Sequence, residues 1–274
     1  MTTKALVLAR GLGTRMRADA GTATSALEAD QRRAADAGLK GMINTGGRPF
    51  LDYLLSALAD AGIRDVCLVI GPEHHAVRDY FSLGQARVSV RFAEQAAPRG
   101  TADAVAAGED FAGSDTFLVL NADNYYPIPA IRSLVELNGP GLIGFEPQAL
   151  VAQSNIPAER VRHFALIETD AQGYLTGIHE KPDDATLQRV GMAAPVSMNL
   201  WSFTPAIFGA CRVVRPSPRG ELELQDAVRL AMTQLGQRFR VIPFAGGVLD
   251  LSVREDIGAV SAALRSLQSP AASD

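Results

Sequence analysis

Cysteine is nearly absent from this chain: two residues, Cys67 and Cys211, among 274. Both stand in apolar runs, Asp-Val-Cys-Leu-Val and Gly-Ala-Cys-Arg-Val, which predicts buried free thiols and not a disulfide frame. Histidine is scarce too, at four residues. Neither residue type recurs at zinc-ligand spacing, and the adjacent His74 and His75 do not share one helix face. There is no basic excess: 26 Lys+Arg against 30 Asp+Glu give a net charge of -4, which argues against a nucleic-acid partner. No apolar run approaches the roughly 20 residues of a membrane span. The first apolar run is too short for a signal sequence, and a glycine-rich loop follows it where a cleavage site would stand, so a cytoplasmic protein is expected. Internal repeats are missing, including any hexapeptide repeat. So is an activated nucleophile, since no Ser, Cys or His sits in an activating motif.

What is present is a large apolar fraction, 47% of residues, enough for a real core. One domain is expected over residues 1–267, with a nucleotide-binding part over about 1–125, a sugar-binding part over about 126–250, and a frayed tail at 268–274. Ala5 to Ala9, Val66 to Ile70, Thr116 to Leu120 and Gly141 to Phe145 read as strands buried on both faces, with Val88 to Ala93 as a further strand. Helices alternate with them: one opened by Pro49 and closed by Gly62, then Pro72 to Phe81, Thr101 to Phe111 and Pro129 to Leu137. This alternation predicts an α/β fold, a Rossmann-like three-layer arrangement with a mainly parallel central sheet and helices on both faces. The second half changes character. A hairpin is expected from Phe164 to His179, turning at Asp170 to Gly173, so a small antiparallel subregion follows. Val196 to Phe203 and Phe239 to Phe244 read as strands, and Glu221 to Leu235 and Arg254 to Leu267 as helices. Residues 18–38, rich in Ala, Asp, Glu and Arg, form an insertion with a short helix over 25–37; it reads either as a solvated excursion or as a flap over a site.

The chemistry starts in the loop after the first strand, Ala9-Arg10-Gly11-Leu12-Gly13-Thr14-Arg15-Met16. A glycine turn after a buried strand brings backbone N–H groups close to phosphate oxygens. Met16 stands where the dinucleotide fingerprint needs a third glycine, and Gly-Lys-Ser/Thr is absent, so neither common phosphate loop applies. Thr14 and Arg15 add a hydroxyl and a fixed cation, a pair suited to a triphosphate tail.

Gly-x-Gly-Thr-Arg-Met resembles the signature loop of the sugar-phosphate nucleotidyltransferases, the nucleotide-sugar pyrophosphorylases. The similarity continues in order through Lys40, Gly46 to Tyr53, Glu94-Gln95, Gly100 to Ala104, Leu120-Asn121-Ala122-Asp123, Glu180-Lys181-Pro182 and Val248-Leu249-Asp250. Two departures stand out: Arg10 replaces a frequent Gly or Ala, and Leu39 a typical Pro. Arg10 either reaches a phosphate or points to solvent.

The resemblance implies a nucleotidyltransferase fold and a reaction in which a sugar 1-phosphate and a nucleoside triphosphate give a nucleotide-sugar and pyrophosphate. It implies Arg15 and Lys40 as catalytic cations on the phosphates. Ala9, Gly11, Gly13, Thr14, Arg15, Gln95, Gly100 and Thr101 would bind the nucleotide; the glutamine points to uracil or thymine. Glu180, Lys181, Ser197 and Asn199 would face the sugar, and Asp123 and Asp250 would hold Mg²⁺. A homo-oligomer is the expected assembly. The residues leave plainer alternatives: Arg15 and Lys40 as surface charges, Asp123 and Asp250 as helix caps, Glu180-Lys181 as a charged hairpin end. Glu221 reads as a sugar or oligomer contact or as a first-turn helix acid, and Trp201 as core. Two other functions fit parts of the pattern. A glycosyltransferase would place Asp-x-Asp at the strand end where Asn121-Ala122-Asp123 stands. A catalytically silent subunit sensing nucleotide-sugars would have no need of Arg15, Lys40, Asp123 and Asp250 together.

Overall fold

A computed structural model of the chain describes residues 1–18, 27–84, 86–191 and 193–268. Its centre is a sheet ordered β10-β6-β9-β4-β1-β2-β3. The strands are β1 (Lys4–Leu8), β2 (Asp65–Ile70), β3 (Ser89–Glu94), β4 (Phe117–Asn121), β6 (Gly141–Phe145), β9 (Val196–Phe203) and β10 (Arg240–Phe244). β4, β1, β2 and β3 run parallel, as do β6 and β10. β9 lies antiparallel between β4 and β6. The hairpin β7 (Ala165–Thr169) and β8 (Leu175–His179) joins through β7 to β9.

Strand alternation divides the core. Along β1, Ala5 and Val7 enter one apolar layer and Leu6 the other. The first layer is covered by α3 (Phe50–Asp60), α4 (His75–Ser82) and α7 (Ile128–Leu137). In α3 the buried Leu51, Leu54, Leu55 and Leu58 recur at helical spacing. The second layer is covered by α5 (Thr101–Ala106), α6 (Glu109–Ala112), α11 (Ala206–Val213) and α12 (Leu224–Leu235). Trp201 is fully buried there, stacked with Phe203, as expected of a core residue.

The helix expected over Thr101 to Phe111 is broken at Gly108, which caps α6. A Cβ on Gly108 would come within 2.5 Å of Leu6, so helix and strand touch at that point. Three short helices, α8 (Pro147–Gln153), α9 (Ala158–Val161) and α10 (Asp184–Val190), and the ribbon of β5 (Asn124–Tyr125) with β11 (Leu249–Asp250) complete the second half. They are too short to leave a periodic signature in the sequence.

A third apolar cluster joins α1 (Thr14–Arg17), α2 (Ala29–Asp36) and α13 (Asp256–Gln268) through Met16, Ala35, Ile43, Phe50, Leu251, Ile257 and Leu264. The buried Arg254 ties the same pieces together: its guanidinium donates to Met16 O at 2.8 Å, Ala18 O at 3.0 Å and Asp36 Oδ1 at 2.6 Å. The helical half of the insertion is therefore part of the folded body, and α2 lies inside the range expected for it. Residues 19–26 of the insertion lie outside the described residues, as does the tail from 269 onward.

Candidate active site

In a parallel sheet the carboxyl ends of the strands open together on one edge. Here β1, β2, β3 and β4 end side by side: Ala9 N donates to Val69 O, Gln95 N to Ile70 O and Ala122 N to Leu8 O, at 2.9, 2.9 and 3.1 Å. A cleft of about 370 Å³ lies over these ends. Ala9, Gly11, Gly13, Thr14, Arg15, Lys40, Gln95, Gly100, Thr101 and Asp123 all line it.

The glycine turn is shaped by Gly13, whose φ of 61° is left-handed. A Cβ there would come within 2.5 Å of Gly38 O, so the end of the insertion packs on the turn and carries Lys40 to the cleft. The Lys40 ammonium donates to Asp123 Oδ2 at 2.7 Å, with the two side chains 16% and 28% exposed. Lys40 is thus a half-buried, paired lysine and not a loop-edge charge. Arg15 is exposed on the cleft wall.

Gln95 and Thr101 line the cleft with part of their hydrogen-bonding capacity committed. Gln95 Nε2 donates to Gly100 O at 3.0 Å and Asp103 Oδ2 at 2.8 Å, leaving only its oxygen as an acceptor. Thr101 Oγ1 accepts from Leu224 N at 2.9 Å. The segment before α12 docks there: Ala102 N donates to Leu222 O and Leu222 N to Arg99 O, both at 2.8 Å. Docking places Glu221 at the cleft mouth, ahead of the helix and not in its first turn.

Asp250 and the four residues expected to face the sugar are not among the cleft lining. Asp250 reaches the edge of the site through the β5–β11 ribbon, where it pairs with Asn124, and Leu251 N donates to Asp123 O at 2.9 Å. Its carboxylate accepts from Asn124 Nδ2, Ser252 Oγ and Arg160 Nη1, each at 3.0 Å. Burial, then the charge of Asp123, pushes the Asp250 carboxyl above the usual carboxylate range. Neither aspartate is a helix cap; the nearest following helices are capped by Pro127 and begin at Asp256. Glu180 follows β8, and burial with the neighbouring Glu223 raises its pKa. Lys181 is exposed, in a left-handed conformation with φ 46°. Ser197 Oγ accepts from Asn199 N at 3.2 Å, and Asn199 Oδ1 from Gln225 Nε2 at 3.0 Å. Asn199, with φ 56°, sits where β9 slips register against β6 between Leu142 and Gly144.

A family model described as nucleotidyl transferase matches residues 36–266. The chain belongs to the nucleotidyl transferase family. It is 33% identical over 232 residues to a glucose-1-phosphate thymidylyltransferase of Streptomyces antibioticus, covering 82% of this chain and 56% of that one. This chain therefore spans little more than half the length of that relative. A UTP–glucose-1-phosphate uridylyltransferase of Haloferax volcanii is 26% identical over 253 residues, covering 92% of this chain and 93% of its own. Among solved structures, a UDP-glucose pyrophosphorylase complexed with UDP-glucose superposes with a TM-score of 0.73 at 21% identity, covering 98% of this chain and all of that one. The fold is the Rossmann-like α/β arrangement expected.

The donor set formed by Asp123 and Asp250 is of a kind that suits a hard cation. Both carboxylates already have a cationic partner, Lys40 on Asp123 at 2.7 Å and Arg160 on Asp250 at 3.0 Å, yet the charge of Asp123 still disfavours ionisation of the buried Asp250, a repulsion that a cation near both would relieve. Among the described residues no three His, Cys, Asp or Glu side chains gather into a cage. A pair fits Mg²⁺, which takes most of its remaining ligands from water and phosphate. Sequence reasoning missed Asn155 and Arg160. Asn155 exchanges two bonds with the backbone of Asp250, at 2.7 and 2.8 Å, and Arg160 bridges Asp250 and Asp256. Both lie at a helix of only four residues or just before it, where no periodicity marks them.

Proposed function

We propose that this chain joins a sugar 1-phosphate to UTP or dTTP, releasing pyrophosphate. The observation that carries the reading is the convergence of the glycine turn, Lys40 and Asp123 on one cleft at the strand ends. The names of the relatives and their preference for uracil or thymine nucleotides support the substrate classes.

Both substrates are anions, so the barrier is chiefly repulsion and misalignment, which fixed charge and positioning lower. The backbone at Gly11 and Gly13, with Thr14 and Arg15, holds the β- and γ-phosphates. Ala9, Gln95, Gly100 and Thr101 hold the nucleoside. Lys40, turned from Asp123 to the α-phosphate, neutralises it as the sugar phosphate oxygen attacks. A bond forms between that oxygen and the α-phosphorus, and the bond to the β-phosphate oxygen breaks with its electron pair. Arg15 stabilises the departing pyrophosphate. Asp123 and Asp250 would hold Mg²⁺, which when bound supplies charge neutralisation on the reacting phosphate. Glu180 accepts from sugar hydroxyls, Lys181 pairs with the sugar phosphate, and Ser197 and Asn199 shape that end of the site.

No protein nucleophile takes part, so no covalent intermediate forms. The test is pyrophosphate release across five nucleoside triphosphates and a set of sugar 1-phosphates with Mg²⁺. Release with UTP or dTTP supports the reading; silence with every pair favours a sensing subunit.

A further inference from the structure

Arg10 stands within the glycine turn, and its surroundings are unusual. Its side chain is 7% exposed and the residue lines the cleft. It lies against Gly71, where a Cβ would fall 2.3 Å from Arg10 Nε. Gly71 follows β2, which lies between β1 and β3, so the guanidinium sits at the end of the strand that separates those leading into Ala9 and Gln95.

Only one nitrogen is used. Arg10 Nη2 donates to both carboxylate oxygens of Glu73 at 3.1 Å. Nε and Nη1 are buried and find no acceptor among the described residues. Buried donors without acceptors are costly and call for a reason. Glu73 is 53% exposed, so its pairing with Arg10 contributes little and is easily exchanged. The guanidinium therefore gains by turning to an acceptor that enters the cleft.

Gln95 makes that acceptor specific. With both hydrogens of its amide committed to Gly100 and Asp103, it offers the nucleobase an acceptor and no donor. A keto pyrimidine presents an imide N–H flanked by carbonyl oxygens, and its carbonyls need a donor from elsewhere. We propose that Arg10 is a specificity-determining residue that donates to a ring carbonyl of uracil or thymine while the Gln95 oxygen accepts from the adjacent imide N–H. This rests on the nucleotidyltransferase reading above. In the same pose cytosine sets its unprotonated ring nitrogen against the Gln95 oxygen, acceptor facing acceptor, and it has one ring carbonyl where uracil has two.

The test compares wild type, Arg10→Ala, Arg10→Lys and Glu73→Gln with UTP, dTTP and CTP. Pyrophosphate release and calorimetric nucleotide binding are the two readouts. Loss of a charge-assisted bond predicts that Arg10→Ala raises KM for UTP and dTTP about tenfold or more. Its kcat and its KM for the sugar phosphate stay near wild type, and preference over CTP shrinks by a similar factor. Arg10→Lys, which keeps a donor, recovers part of the preference, and Glu73→Gln keeps it. Equal weakening of UTP and CTP binding in both Arg10 variants overturns the proposal, as does a fall in kcat alone with all nucleotides. If wild type releases no pyrophosphate, the reading of function fails on its own, and the UTP-to-CTP binding ratio still decides the role of Arg10.

Discussion

The parallel half of the sheet and the antiparallel half organise their polar residues differently. At the ends of β1, β3 and β4, ten residues expected at the nucleotide and metal open onto one cleft. Around β8 and β9, Glu180, Lys181, Ser197 and Asn199 lie outside that cleft, linked to it by the segment that docks Leu222 on Arg99 and Ala102. Parallel strands bring their carboxyl ends to one edge by topology alone. Antiparallel strands alternate direction, so a site built on them depends on local irregularities such as the slip of β9 at Asn199.

If the comparison is right, damage at the two ends should look different. The largest effect is expected from Asp123→Asn, which removes a charge at the β4 end: turnover should fall on the order of a thousandfold. Calorimetry should show nucleotide binding weakened far less, and full activity in this variant would remove the metal assignment. Glu180→Gln combined with Lys181→Ala strikes the other end. It should raise KM for the sugar 1-phosphate by at least about tenfold, since a charge-assisted contact is lost at each of the two residues, and leave KM for the nucleotide unchanged. A matching rise in nucleotide KM would merge the two ends into one.

The hinge between the halves is next. Gly100 has φ 125°, and a Cβ there would fall 2.5 Å from Leu222 O. Gly100→Ala should lower stability by about 1–3 kcal/mol, read from urea unfolding, and should impair both substrates because it undocks the segment that carries Glu221.

The last effect appears only in alkaline solution and concerns the core that both halves share. Burial raises the Cys67 and Cys211 thiols from 9.0 to about 12. Between those values the unfolded chain releases protons that the folded chain keeps. Stability therefore falls as pH rises, by about 1.4 kcal/mol per pH unit for each thiol. Urea unfolding at pH 9 and pH 11 should show a shallower alkaline loss in Cys67→Ala/Cys211→Ala than in wild type.

Much of the parallel half was legible in the sequence because its signals are local. Buried strands read as continuous apolar runs, and the functional residues other than Lys40, which the insertion delivers, stand at the end of a strand or in the loop that follows it. The hairpin, Trp201 and the closing helix were legible for the same reason. What was hidden depends on residues far apart in the chain. Asp250 reaches Asp123 only through a two-stranded ribbon, and it is held there by Asn155 and Arg160, some 90 residues earlier. The commitment of the Gln95 amide to Gly100 and Asp103 likewise follows from loop geometry that no motif encodes. Gly108, at the break between the two helices, packs against Leu6, a partner the helical pattern does not reveal.

The central claim is that the glycine turn and the two aspartates enclose one nucleotide and its cation. It is tested most directly by crystallising the chain with a non-hydrolysable UTP analogue and Mn²⁺ and locating the ion by anomalous scattering. The expected result is a peak bounded by Asp123, Asp250 and the α-phosphate, with the β- and γ-phosphates along residues 11–15. A nucleotide bound elsewhere, or an ion remote from both carboxylates, would contradict the account.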